Sequence, residues 1–200
     1  LIQHMRIYLF LDGSPEMVPF NYQPYLTGAL HKWLGTNEMH GNVPLYSFSW
    51  LRGGTARERG ISFRHGAEWF ISSPSEDVLR KIVGSIMTDP EVCYGLKVAN
   101  VSFGAIPEFG DEARLRAASP VLVKHAREDG SAEHLLFHDP RAGDQLTTTM
   151  HHRLRRVGVD NPDIRVDFDP TYARPSTKMV TYREVKNRVN LCPVILLGNP

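Results

Sequence analysis

Tyr22-Gln23-Pro24-Tyr25-Leu26-Thr27-Gly28-Ala29-Leu30-His31-Lys32-Trp33-Leu34 is the stretch on which the fold turns. Tyr22, Tyr25, Leu26, Ala29, Leu30, Trp33 and Leu34 recur at helical spacing along one stripe, so the pattern predicts an amphipathic helix whose apolar side meets a core. Asn21 stands where a cap is needed, and Pro24 falls in the first turn, where its missing N–H costs nothing. Upstream, Met5 to Leu11 (MRIYLFL) is an apolar run closed by Asp12-Gly13-Ser14-Pro15, which reads as a strand and a turn. Leu1 to His4 look foreign: His4-Met5 resembles the remnant of a cloning junction, so Met5 is read as the natural start. Downstream, Leu45 to Leu51 alternates Tyr46, Phe48 and Trp50 with Ser47 and Ser49, the pattern of a strand with one buried face.

Further along, Ile61 to Phe63 and Ala67 to Ile71 read as a hairpin around Arg64-His65-Gly66. Ser73-Pro74-Ser75-Glu76 reads as a capping box with proline at the first helical position. The stripe Val78, Leu79, Ile82, Val83, Ile86 and Met87 then predicts a second helix ending at Asp89-Pro90, and Leu96 to Ile106 a closing strand. Strand, helix, strand, strand, helix, strand is the split βαβ order of a ferredoxin-like domain, here spanning residues 5–106. Pro107 to Glu112 is polar and turn-rich and marks the boundary. Beyond it, strands are expected at Ser119 to His125, Glu133 to Phe137, Ile164 to Phe168, Lys178 to Tyr182 and Leu191 to Leu197. A helix from Pro140 to Val157, capped by Asp139 and stopped by Gly158, carries the stripe Leu146, Met150, Leu154 and Val157. The expected class is therefore α+β, two tandem ferredoxin-like (RRM-like) domains, the second (113–200) lacking its last helix and strand. Gly198-Asn199-Pro200 reads as a turn or helix start, so further chain is expected after it.

Composition narrows the function classes. Of 200 residues, 42% are hydrophobic and 10% aromatic, which excludes a disordered chain. No run approaches the roughly 20 apolar residues of a membrane span, and no basic leader precedes a hydrophobic segment. Cys93 and Cys192 are too few for a disulfide framework or a thiolate metal site, which fits a cytosolic setting. The net charge of +1 advertises no polyanion partner by itself.

The charge is sorted locally, however. Arg52, Arg57, Arg59 and Arg64 oppose only Glu58. Arg174, Lys178, Arg183, Lys186 and Arg188 oppose only Glu184. Arg153, Arg155 and Arg156 crowd the end of the third helix, where the helix dipole also favours cations. Such sorting fits polyanion binding or a solvated basic face equally. Nine histidines are many for this length. His125, His134 and His138 lie on or beside strands and read as surface positions, while the neighbours His151 and His152 point to different helix faces. No histidine pair has metal-ligand spacing, and neither a nucleophile elbow nor a phosphate-binding glycine loop occurs, so no metal or other cofactor is expected. His31 differs: it lies off the apolar stripe, on the side of Thr27 and Gly28, and Gly28 leaves space one turn before it. His40 follows in the loop Gly35 to Gly41. An imidazole with a pKa near ~6.5 suits proton transfer near neutral pH.

Val18-Pro19-Phe20-Asn21-Tyr22-Gln23-Pro24-Tyr25-Leu26-Thr27-Gly28-Ala29-Leu30 resembles the first-helix signature of the CRISPR repeat-processing endoribonucleases of the repeat-associated (RAMP) superfamily. Ala118-Ser119-Pro120-Val121-Leu122-Val123 resembles the opening strand of that family's second domain, and the likeness runs from Met5 to Leu197. In the family a histidine after the first helix is commonly catalytic, and His40 holds that place. His31 stands where many members have a tyrosine, and Tyr46 is a positional candidate. Asn42 and Val43 stand where some members carry a lysine, and the family's closing glycine-rich loop has no counterpart.

The resemblance implies metal-independent cleavage of CRISPR precursor RNA within its repeats. The ribose 2′-hydroxyl attacks the adjacent phosphate, leaving 2′,3′-cyclic phosphate and 5′-hydroxyl ends. It implies His40 and His31 as proton donor and acceptor, with Arg52, Arg57 or Arg59 as the cation at the phosphorane. Repeat RNA is the implied partner, held also by Arg64, Arg153, Arg155, Arg156, Arg174 and Lys178, with a homodimer or a CRISPR effector complex as the assembly. The alternative is a catalytically silent RNA-binding subunit of such a complex. A generic RNA-binding module is disfavoured on the expectation that no stacking aromatics stand on a central strand.

Overall fold

The computed structural model describes residues 5–35, 46–104, 109–182 and 184–198. The chain divides between residues 106 and 107 into two compact units. In the first, β1 (Met5–Leu11) leads through the short β2 (Met17–Val18) into α1 (Gln23–Leu34). β3 (Ser47–Phe48), β4 (Thr55–Arg57), β5 (Gly60–Ser62) and β6 (Ala67–Ser73) follow, then α2 (Glu76–Thr88), β7 (Glu91–Cys93) and β8 (Leu96–Gly104). The main sheet is antiparallel with order β3-β6-β1-β8-β7. Its first four strands in that order are the ferredoxin-like array, with β1 and β6 in the middle.

One face of this sheet is dry. Ile7, Leu9, Leu11, Trp69 and Ile71 alternate inward and meet Leu26, Leu30 and Trp33 of α1 and Leu79, Ile82 and Ile86 of α2. The helix punctuation differs in detail from expectation. Tyr22, not Asn21, occupies the N-cap of α1 and caps nothing with its side chain. For α2 the cap is Ser75, whose hydroxyl accepts from the Val78 N–H at 3.5 Å. Pro74 precedes that cap, and the Ser73 hydroxyl accepts from the Ser75 N–H.

The expected hairpin of Ile61–Phe63 with Ala67–Ile71 does not form. β5 pairs with β4 and β2 in a separate small sheet, whereas β6 pairs with β1 and β3. The chain leaves one sheet for the other at Gly66, whose φ is 93° and where an added Cβ would come within 2.6 Å of the Leu11 carbonyl oxygen. A side chain there would meet both a strained backbone and that carbonyl.

The second unit contains β9 (Glu112–Leu115), β10 (Lys124–Ala126), β11 (Ala132–His134), α3 (Arg141–Arg156), β12 (Arg165–Phe168), β13 (Ser176–Tyr182), β14 (Val185–Leu191) and β15 (Val194–Leu197). Its sheet has the order β12-β15-β9, three strands of the ferredoxin-like pattern, with α3 its one helix among the described residues. β10–β11 and β13–β14 are separate antiparallel pairs. The opening strand is β9, four residues too short to show a period, and not the expected Ser119 to His125. Pro120 breaks that segment into an isolated bridge, Val121 to Asn190, and β10. Pro193 likewise splits the expected Leu191 to Leu197 strand. Pro140, not Asp139, occupies the N-cap of α3; Asp139 stands one residue earlier, its carboxylate accepting from the Arg141 N–H at 2.9 Å. The Arg141 guanidinium holds that carboxyl down to about 2. No helix among the described residues is long and apolar enough to cross a membrane.

The small core of this unit, built on Val123, Leu135, Ala142, Phe168 and Cys192, is tied together by one polar residue. Asn190 is fully buried. Its amide donates to the carbonyls of Val121 and Leu135 and accepts from the Phe137 N–H at 2.9 Å. Asn190→Ala leaves the Leu135 carbonyl and the Phe137 N–H without these partners, while the Val121 carbonyl keeps the Asn190 N–H, so urea denaturation is expected to show a loss of about 2 kcal/mol or more, against about 1 kcal/mol for a neutral bond removed at the surface.

Candidate functional site

The rotation of α1 about its axis decides which of its side chains can act. Leu26, Leu30 and Trp33 are buried, and the polar atoms at the helix end fix it further. The Trp33 indole N–H donates to the Asp89 carbonyl at 2.8 Å, and the Ser85 hydroxyl donates to the Trp33 carbonyl at 2.7 Å. Lys32 pairs with Asp89 at 2.9 Å and donates to the Glu91 carbonyl. That pairing holds the Asp89 carboxyl below its ordinary range. Thr27, Gly28 and His31 are thereby left on the side away from the core.

The segment after the first helix is set against it by Tyr22. Its buried hydroxyl accepts from the Leu51 N–H at 3.1 Å, and desolvation pushes its pKa up to about 12. Trp50 packs edge-on against Tyr22 and Phe48 against Trp69. Ser49 is fully buried, not on a solvent face as the alternation implied, because its hydroxyl accepts from the Phe70 N–H at 3.0 Å. This anchoring brings Tyr46 to α1: its phenol oxygen lies 2.9 Å from His31 Nε2. Two of the sequence candidates therefore form a half-buried imidazole–phenol pair. A Cβ at Gly28 would meet nothing within 4 Å, so this glycine leaves an open lane one turn before His31. His40 lies outside the described residues.

The arginines of the first unit are spread around the small sheet. Arg57 lies on β4, Arg59 in the β4–β5 turn and Arg64 in the crossing to β6, all exposed. Arg52 makes a bridge to β6 and pairs with Glu68 at 3.5 Å. In the second unit, Arg153, Arg155 and Arg156 are exposed in the last turn of α3, and Arg174 and Lys178 lie exposed before and on β13. Of the other histidines, His151 is structural: its Nε2 lies 3.0 Å from the Ile164 carbonyl, tying α3 to the strand beside it. Among the described residues no group of three His, Cys, Asp or Glu could hold a metal ion. Cys93 is buried, and desolvation raises its thiol to about 11.

Sequence reasoning missed the second face of the main sheet. The expectation of no aromatics on a central strand is wrong, because β1 is itself central and Tyr8 and Phe10 point away from the helices. Phe70 of β6 stands beside Tyr8, ring centroids 5.8 Å apart. The signal was present in the alternation of MRIYLFL: Arg6, Tyr8 and Phe10 are out of phase with the buried Ile7, Leu9 and Leu11.

No family model and no curated protein matches this chain. Solved structures do. A Cas6-related protein from Pyrococcus furiosus superposes with a TM-score of 0.84 at 22% identity, covering 98% of this chain and 88% of its own. A CRISPR-associated protein Cas6 gives 0.80 at 21% identity, covering 98% and 89%. A RAMP protein described as binding different RNA substrates gives 0.78 at 21% identity, covering 98% and 88%. At such low identity the likeness speaks for architecture, and on that ground the two-unit chain has the fold of the Cas6 and RAMP proteins.

Proposed function

We propose that this chain is a CRISPR repeat-processing endoribonuclease, and the observation that carries the reading is the His31–Tyr46 pair, 2.9 Å apart beside an open helix lane. In RNA the nucleophile is part of the substrate, so the protein has only to move protons and stabilise charge. One imidazole takes the proton of the ribose 2′-hydroxyl while its oxygen bonds to phosphorus. The bond to the 5′-oxygen then breaks, and that oxygen receives a proton from the second group. The products are a 2′,3′-cyclic phosphate and a 5′-hydroxyl, and no metal is required by the proton balance. His31 and His40 are the proton-transfer pair, and Tyr46 orients the His31 ring through its hydrogen bond. Arg52, Arg57 or Arg59 supplies positive charge to the phosphorane, and Arg64, Arg153, Arg155, Arg156, Arg174 and Lys178 hold the RNA backbone. Proton transfer of this kind contributes about 10²–10⁴-fold, with alignment and electrostatic stabilisation adding to it.

The test is incubation of repeat RNA with the protein in excess chelator, scoring a single cut with a cyclic-phosphate end. His31→Ala and His40→Ala are each expected to slow cutting by about a hundredfold or more while RNA affinity is retained. Undiminished cutting in either variant removes that histidine from the mechanism. Binding without any cut by the unmodified protein turns the reading to a silent RNA-binding subunit.

Gly28 gives an independent check. Glycine inside a helix costs roughly 0.5–1 kcal/mol relative to a good helix former, and no packing interaction here repays it. Gly28→Leu is expected to raise the melting temperature yet slow cutting about tenfold or more by filling the lane beside His31. A variant that is both stabler and fully active would show that the scissile strand passes elsewhere.

Replacing Arg52, Arg57 and Arg59 together by glutamine is expected to weaken RNA binding and flatten its dependence on salt, since every phosphate that the protein ceases to neutralise lowers the slope of log affinity against log salt by about 0.7–0.9. An unaltered slope means this basic surface does not meet phosphate.

A further inference from the structure

The hairpin of β13 and β14 in the second unit has two outer edges of different character. Its register runs without a bulge from Ser176↔Leu191 to Tyr182↔Val185. One residue fixes the hydrogen-bonding phase. The Asn190 N–H donates to the Val121 carbonyl at 2.8 Å, and the Asn190 carbonyl accepts from the Val121 N–H at 2.9 Å. Both backbone groups of Asn190 therefore point away from β13, and the opposed pair Thr177↔Asn190 exchanges no bond. Alternation then assigns the ladder bonds to Lys178, Val180 and Tyr182, which face Val189, Asn187 and Val185. The N–H and C=O groups of Thr177, Met179 and Thr181 point outward from β13, and among the described residues none of them has a partner.

The outer edge of β14 is guarded. Beyond Asn190, the residues whose backbone faces outward there are Arg188 and Lys186, exposed cations of the kind that keep strand edges from pairing. The edge of β13 lacks that protection. Seven residues long, it turns the backbone of Thr177, Met179 and Thr181 to the open side, and Met179 is 53% exposed. Alternating donors and acceptors at strand spacing are complementary to another strand, whereas a nucleic-acid backbone offers mainly acceptors. Thr-x-Met-x-Thr reads the same in both directions. Antiparallel pairing of β13 with a second copy, about a two-fold axis at Met179, therefore sets like against like. Met179 meets Met179 of the partner subunit, and Thr177 meets the partner's Thr181, a pairing of threonines that stabilises sheets. Lys178 falls opposite Val180 of the partner subunit, so no like charges are opposed. A two-stranded ribbon, marginal by itself, becomes half of a four-stranded sheet.

We propose that β13 is a dimerisation edge, pairing with β13 of a second copy of this chain through the outward backbone groups of Thr177, Met179 and Thr181. The inference is independent of the reading of the chain as a nuclease, because it uses only the backbone phase and the residue pattern of the hairpin. An interface of one short strand is small, so the dimer exchanges with monomer at micromolar concentrations.

The test is sedimentation velocity of the full chain, free of RNA, over a series from micromolar to submillimolar concentration. The average mass is expected to rise from monomer toward dimer along the series. Met179→Pro removes the outward N–H and spares the bonds to β14, since an edge strand tolerates proline where the N–H faces solvent. Met179→Glu sets two carboxylates against each other across the axis, while within one chain the new carboxylate stands opposite Arg188. Each variant is expected to weaken the dimer about tenfold or more. Met179→Cys reads the geometry directly. Residues in a hydrogen-bonded antiparallel pair have Cα atoms about 5.5 Å apart, within disulfide reach. Mild oxidation is therefore expected to link two chains through residue 179, with Cys93 and Cys192 buried and silent. Val185→Cys, at an equally exposed position away from the axis, is expected to stay unlinked. A mass that remains monomeric throughout the series overturns the proposal. So does a dimer that Met179→Glu leaves intact, or oxidation that links Met179→Cys no faster than Val185→Cys. If Met179→Pro unfolds the hairpin, Met179→Glu and Met179→Cys still decide the matter.

Discussion

The packing of α1 against the sheet is the constraint from which the rest follows. Leu26, Leu30 and Trp33 are sealed against Trp69, Ile71 and α2, and burying side chains of this size stabilises by about 1.5–3 kcal/mol each. That energy far exceeds anything the surface polar groups contribute, so it alone chooses the helix's rotation. Once Trp33 is pinned to Asp89 and Ser85, His31 has no freedom to be anywhere but on the open side. The core makes the site by exclusion. Tyr22 extends the same logic to the next segment, because its hydroxyl receives the Leu51 N–H and so delivers Tyr46 to His31.

What the sequence disclosed follows from which interactions are local. The stripes of α1 and α2 are periodic in the chain, so both helices were readable from spacing. The ferredoxin-like order of the first unit followed from them. Pairing partners are not local, and there the reading failed. Ile61 and Ile71 look like hairpin mates because they flank Arg64-His65-Gly66, yet β5 finds β2 and β4 while β6 finds β1 and β3. β9 is four residues long and Pro120 sits in the segment that looked more like a strand. His31 was legible as a candidate because it breaks a helical pattern. Its bond with Tyr46, fifteen residues on, was not, since it depends on a tertiary hydrogen bond made by Tyr22. Tyr8 and Phe10 were hidden in an apolar run whose alternation between two faces matters only once β1 is known to be central.

The cations illustrate how little a count of charges decides. Arg52 belongs to the basic cluster around the small sheet, but it faces Glu68 at 3.5 Å with both side chains substantially exposed, a pairing worth at most about 1 kcal/mol. Such a weak bond is easily exchanged for phosphate. Arg141 is the contrary case: bonded to both Asp139 and Glu133, it completes the start of α3 and is committed to the fold. Arg6 belongs to neither group. Its charge rests on a neutral hydroxyl and an aromatic ring, an arrangement that orients a guanidinium without neutralising it.

On the proposed reading, the chemistry itself leaves open what chooses the cutting position. Cleavage by an internal 2′-hydroxyl is chemically indifferent to base identity, since every ribonucleotide carries the same nucleophile and phosphate. On the proposed reading, a proton-transfer pair such as His31 with His40 has no means of choosing where to cut. Selection has to come from groups that feel the bases, and imidazoles on a helix lane are poorly shaped for that.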